Sequence, residues 1–228
     1  MNILVIAAHP DDEVLGCGGS VAKWAEAGNE VHVVILAEGA TSRDSARNPE
    51  SRIEELSALE KSAQSAGKIL GVTSVRLLNF PDNRMDSVDL IDVVKTIEGY
   101  VEKLKQEVVI THNSDDLNID HQIVHQAVMT ACRPMPRQSV KRILLFEVPS
   151  STEWQSPTVG NSFVPNWFED VSETLNLKIK ALEAYKNEML AWPHSRSIKA
   201  VEHLARWRGA SIGFEAAEAF SLSRNLVI

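Results

Sequence analysis

Two short runs carry most of the side chains able to do chemistry: Ala8-His9-Pro10-Asp11-Asp12-Glu13, and Asn118-Ile119-Asp120-His121 continuing to His125. The first places a histidine and paired carboxylates between an apolar run and Gly16; the second follows Thr111-His112, which closes the apolar run Val108-Val109-Ile110. His, Asp and His drawn from two segments make a three-ligand zinc set with open positions for water and substrate, unlike a closed structural site. Asp11 and Asp12 leave a proline-stiffened turn in different directions, so one carboxylate can bind the ion while the other faces the water beside it.

These residues need elements that bring them together. Asn2 to Ala8 has the continuous β-branched character of a parallel strand buried on both faces, which puts His9 at a strand's carboxyl end. Ligands of open α/β sheets bind along that edge. From Asn118 onward apolar residues at 119, 123, 124, 127, 128 and 131 follow helical spacing, so His121 and His125 lie one turn apart. Such a helix, starting beyond the strand that ends at His112, carries His121 to the edge that holds His9.

The same pattern continues along the chain: strands at 2–9, 31–38, 74–79, 107–112 and 142–148 alternate with helices at about 17–27, 50–70, 88–105 and 119–132. This predicts an α/β fold, a Rossmann-like three-layer sandwich with a mostly parallel sheet, whose C-terminal helices and loop cover the active-site edge. Gly16-x-Gly18-Gly19 lacks dinucleotide-binding spacing, so these glycines are assigned to close backbone approach beneath the site.

Together the two runs resemble the zinc-dependent N-acetylglucosaminyl deacetylases of the PIG-L and LmbE-like family. That family opens with Ala-His-Pro-Asp-Asp-Glu, matched in full by residues 8–13, and carries a later His-x-Asp-His element matched in part by residues 118–121. Ala66 to Gly71 and Ala217-Glu218-Ala219-Phe220 extend the similarity over essentially the whole chain. The resemblance implies that His9, Asp12 and His121 bind Zn2+ and that Asp11 is the general base. Asn118 stands where the family has a histidine steered by the aspartate two positions on, here Asp120. An asparagine can donate to an oxyanion but cannot titrate, so His112 or His125 is expected to take over the proton work. The ligand atoms also suit iron, cobalt or manganese.

The 228 residues, 44% of them apolar, suffice for one domain spanning 1–228. A net charge of −8 without a long basic run argues against nucleic acid and anionic membranes as partners. Cys17 and Cys132 make no disulfide framework, and no segment has the length of a membrane span, so cytoplasmic residence is the expectation, with no stable membrane insertion and homo-oligomers left open.

Residues 149–170, with Pro149, Trp154, Pro157, Gly160, Pro165 and Trp167, form an expected active-site loop. Trp154 is the candidate wall for a sugar ring, and Trp167 an anchor on the core. Arg84, in Phe80-Pro81-Asp82-Asn83-Arg84 after another strand, is a candidate for binding substrate. Residues 173–190 and 197–211 carry helical apolar stripes, and the joint Trp192-Pro193-His194-Ser195-Arg196 is expected to be solvated, with a contribution of His194 or Arg196 to a pocket as the alternative. The expected activity is removal of an acetyl group from an N-acetylated sugar or sugar conjugate, a small-molecule partner. A metal amidase on a thiol conjugate or other N-acyl compound, and a sugar-binding protein with a vestigial metal site, are the alternatives.

Overall fold

The computed structural model describes residues 1–156 and 162–227. The seven strands of the described residues join one sheet in the order β3-β2-β1-β4-β5-β7-β6. Strands β1 (Asn2–Ala7), β2 (Glu30–Ala37), β3 (Ser74–Phe80), β4 (Val108–His112) and β5 (Arg142–Phe146) run parallel. Strands β6 (Trp167–Asp170) and β7 (Ala217–Asn225) close the far side as antiparallel neighbours. Val, Ile and Leu fill β1, β2, β4 and β5, which are almost wholly buried because helices cover both faces of the sheet.

The helices are α1 (Asp12–Glu26), α2 (Ile53–Leu70), α3 (Leu90–Leu104), α4 (Ile119–Ala131), α5 (Leu175–Ala184) and α6 (Ile198–Ala210). One core layer packs α1, α2 and α5 on one face, centred on Val5, Ile35, Phe146 and Phe220. The other packs α3 and α4 against Leu4, Ile6, Val109 and Leu145. β1 and β4 are adjacent while their connections leave in opposite directions, so the crevice at their carboxyl ends is the switch point where ligands of open sheets bind.

The expected fold is present, with three local differences. Helix α1 begins at Asp12, five residues before the expected start, which draws the metal-type run into a helix N-terminus; the helix is broken at Cys17, whose φ of −147° is non-helical. The stretch read as a loop ends in β6, where Trp167 lies under the Arg142 guanidinium at 4.7 Å. Pro157 and Gly160 lie outside the described residues. Residues 217–225 form β7, seated between β5 and β6.

A Cβ on Gly16 would meet the Phe146 ring at 2.4 Å, so glycine there lets the start of α1 lie directly on β5. Cys17 and Cys132 are buried and free. Among the described residues no helix is long and apolar enough to cross a membrane.

Candidate active site

β1 ends at Ala7, and the chain turns through His9 and Pro10 to Asp11, whose φ of 104° and ψ of −26° belong to a region that side chains rarely adopt. The turn is held by the Asp11 N–H, donated to Glu13 Oε2 at 3.1 Å, and by the His9 N–H, donated to Asp12 Oδ2 at 2.9 Å. His121 arrives from the first turn of α4. Asn118 caps that helix by accepting the Asp120 N–H at 2.9 Å.

Three donor atoms meet in this crevice. His9 Nδ1 lies 3.2 Å from His121 Nε2 and 3.2 Å from Asp12 Oδ2, and His121 Nε2 lies 3.1 Å from Asp12 Oδ2. Ligand atoms about 2.0–2.1 Å from a tetrahedral ion stand about 3.3–3.4 Å apart, so this near-equilateral triangle has the dimensions of one face of such a site. Burial disfavours the His9 imidazolium, yet flanking Asp12 and Asp120 raise its pKa well above the usual value. His121 behaves alike: burial is outweighed by Asp12 and Asp116, which lift it to about 9. Burial works against the Asp12 carboxylate, but the histidines beside it hold its pKa well below the usual range. The cluster is thus built to receive positive charge, and a dication fits its donor set.

Both histidines have a carboxylate behind them, the position from which metal-bound imidazole is usually supported, and for His9 it makes a hydrogen bond. Asp120 Oδ2 lies 3.0 Å from His9 Nε2 and also accepts the Asn83 N–H at 2.7 Å, while its Oδ1 accepts the Met85 N–H at 2.9 Å. Asp82 Oδ1 stands 3.5 Å from the same nitrogen. His9, Asp82 and Asp120 form a second cluster of ligand type, but Asp120 already accepts two main-chain N–H groups, so we assign it to holding His9 rather than to a second ion. Asp116 Oδ1 lies 3.1 Å from His121 Nδ1, off the N–H direction. Against the pull of burial, His121, Ser151 and the Asn118 N–H hold Asp116 at about 2, and it ties the site to the Ser151-Thr152 turn.

The triangle opens into a cavity of about 230 Å³ lined by His9, Asp11, Asp12, Asn83, Asn118 and Arg196, among others. Asp11 is buried and ion-paired through Oδ2 with Arg196 Nη2. Burial pushes the Asp11 carboxyl well above the usual range, and Arg196 opposes that shift.

Other expected positions differ. His112 is fully buried, its Nε2 accepts the Ala8 N–H at 2.8 Å, and its ring stacks on His121 at 3.9 Å; burial and the neighbouring imidazole lower its pKa well below the usual value. His125 points its Nδ1 at the His112 carbonyl, 3.0 Å away. Neither lines the cavity, because His112 is spent fixing β1 against β4 and His125 lies one turn further along α4 than His121. Asp120 steers His9 instead of residue 118. Asn118 does line the cavity, with its amide donated to Asn83 Oδ1 at 2.7 Å.

Arg84 turns away to the Asp44 carbonyl at 2.9 Å, because Asn83, at φ 51°, takes the place on the wall. Trp154 is exposed, edge-on to His194 at 5.5 Å and off the cavity wall, which Ser150 and Ser151 supply. Sequence reasoning gives no role to Asp82, Asp116, Glu13 or Glu188, whereas Arg196, the alternative to a solvated joint, does line the cavity. Two of the missed residues had a visible signal: Asp82, two residues beyond β3 at the same sheet edge, and Glu13, inside the opening run.

A switch-point crevice with an open His-Asp-His triangle and an adjacent carboxylate defines an α/β protein with a site that could hold a metal ion. Residues 4–132 match the family model described as PIG-L: GlcNAc-PI de-N-acetylase. The chain is 35% identical to the "Uncharacterized deacetylase YaiS" of Escherichia coli over 82% of this chain and 91% of that protein. It is 25% identical to the "Probable N-acetyl-alpha-D-glucosaminyl L-malate deacetylase 2" of Bacillus cereus, over 82% and 83%. The solved structure of the N,N'-diacetylchitobiose deacetylase from Pyrococcus horikoshii superposes with a TM-score of 0.77 at 20% identity, over 98% of this chain and 84% of that one. This chain belongs to the PIG-L family.

Proposed function

We propose that this protein hydrolyses the acetamide of an N-acetylated amino sugar, releasing acetate and a free amine, with Zn2+ held by His9, Asp12 and His121 and Asp11 as the base. The observation that carries the reading is the donor triangle at 3.1–3.2 Å with Asp11 beside it in the cavity. When bound, the ion supplies Lewis acidity that polarises the acyl carbonyl and brings water closer to ionisation at neutral pH. Asp11 accepts the proton of the attacking water at its carboxylate and returns it to the departing nitrogen, so atoms and charge balance. Asp120 keeps the His9 imidazole aimed, and the Asp116 carboxylate stands 3.1 Å behind that of His121. The cavity, about 230 Å³, lies below the roughly 300–1,000 Å³ of drug-sized pockets, so a sugar-sized headgroup enters and the rest of a conjugate stays outside.

The test is release of acetate and primary amine from a panel of N-acetylated sugars, sugar conjugates and thiol conjugates, before chelation, after it, and after restoring Zn2+. Chelator-sensitive release from a sugar supports the reading. Release from a thiol conjugate alone replaces it with the amidase, and one bound Zn2+ per chain with no release from any substrate replaces it with a binding protein.

A further inference from the structure

The joint between α5 and α6 is tied rather than solvated. Arg196 donates its N–H to His194 Nδ1 at 3.1 Å, its carbonyl accepts the Leu190 N–H at 3.2 Å, and the buried Ser197 caps α6 by accepting the Ala200 N–H at 3.1 Å. These bonds fix the main chain on both sides of Arg196. Its guanidinium reaches across the cavity wall to Asp11 Oδ2 and lies 3.9 Å from Glu188, which grips Arg43 through both oxygens at 2.9 and 3.0 Å. A charged chain therefore runs from Asp11 through Arg196 and Glu188 to Arg43, all four on the cavity wall.

Aspartate has a broad, roughly two-fold χ2 torsion, so a clamped main chain alone does not aim a carboxylate. At Asp11 the main chain is held by Glu13 and one carboxylate oxygen by Arg196, which turns the other oxygen away from that ion pair. We propose that Arg196 is the positioning residue for Asp11: it fixes the carboxylate in the orientation that receives the proton of the attacking water. The inference rests on the deacetylase reading. It also gives the charged joint a role independent of His112 and His125, which face away from the cavity.

The test compares the zinc-loaded native protein with Arg196→Ala and Arg196→Lys, measuring bound metal, kcat and KM. We expect Arg196→Ala to keep its zinc and to hold KM within about threefold, while kcat falls on the order of 100-fold, the scale of loss from misplacing a reacting group by ~1 Å. Added guanidinium ion, far below denaturing concentration, should restore part of the rate to Arg196→Ala, and Arg196→Lys should fall in between. A kcat within about threefold of native, loss of zinc in step with activity, or a loss that neither guanidinium nor lysine relieves overturns the inference. If the native protein releases no acetate from any N-acetylated sugar, the deacetylase reading fails and this inference falls with it. A native protein that turns over beside an undiminished Arg196→Ala removes the inference alone.

Discussion

The Glu13 carboxylate accepts the Asp11 main-chain N–H at 3.1 Å with one oxygen and the Tyr185 hydroxyl at 2.7 Å with the other. Glu13 thereby links the turn that bears the proposed base to the end of α5. Asp11 sits at φ 104°, a conformation that costs a non-glycine residue about 1–3 kcal/mol. The turn persists because its surroundings over-determine it, and the glutamate of the opening motif supplies one of the restraints.

That strain can be read by comparing two truncations of the same side chain. Asp11→Gly and Asp11→Ala both lose the Arg196 ion pair and the proposed base, so both should lack turnover. They differ in the backbone, where positive φ is free for glycine and strained for alanine. Asp11→Gly should therefore be the more stable by about 1 kcal/mol, the reverse of the usual order, in paired urea unfolding curves. Equal midpoints would mean that the turn relaxes without its aspartate.

Metal removal should lower thermal stability, because an ion bound only by the folded chain adds about 2.7 kcal/mol at a hundred times its Kd. Differential scanning of chelated and zinc-restored protein should give a lower and a recovered Tm. Asp12→Ala should lose this response and Asp11→Asn should keep it, since only Asp12 belongs to the triangle. A response retained by Asp12→Ala would move the ion elsewhere.

Asp120→Asn tests the support behind His9. Replacing one carboxylate oxygen with an amide nitrogen disturbs the contact to His9 Nε2 or one of the two main-chain N–H bonds. Zinc affinity should fall about 10–100-fold with the fold intact, measured by competition against a chromophoric chelator. An unchanged affinity would show that Asp82 suffices to hold the ring.

The parts of the site legible in the sequence are those whose spacing is local. His9, Asp11 and Asp12 follow a β-branched strand directly, and His121 begins an apolar-periodic helix, so a parallel sheet must bring both to one edge. Arg196 and Glu188 reach the cavity only because α5 folds back over α1 and α2 and α6 packs on α5 and β7, a tertiary event with no periodic trace in Trp192 to Arg196. His112 misled for the converse reason: its position at a strand end is that of a catalytic residue, but its Nε2 is occupied by the Ala8 N–H. Residues 217–225 escaped assignment as a strand because only Ala217 to Phe220 are buried in full, while the rest runs along the surface.

The Lys178–Glu218 pair offers the sharpest test of how α1 is held. The break at Cys17 leaves the Leu15 carbonyl and the Gly19 and Ser20 N–H groups to partners outside the helix. Lys178 Nζ donates to that carbonyl at 2.8 Å, and the Glu218 oxygens accept the two N–H groups at 2.9 and 2.7 Å. The two side chains pair at 2.5 Å, each only 4% exposed. Glu218→Ala strands two buried donors and an ammonium, so it should cost about 3–5 kcal/mol in urea unfolding. Adding Lys178→Met removes the uncompensated charge, and the double variant should be less destabilised than the sum of the single ones by more than about 0.5 kcal/mol. Strict additivity would mean that the two residues serve α1 independently, and the break at Cys17 would then need some other explanation for its persistence.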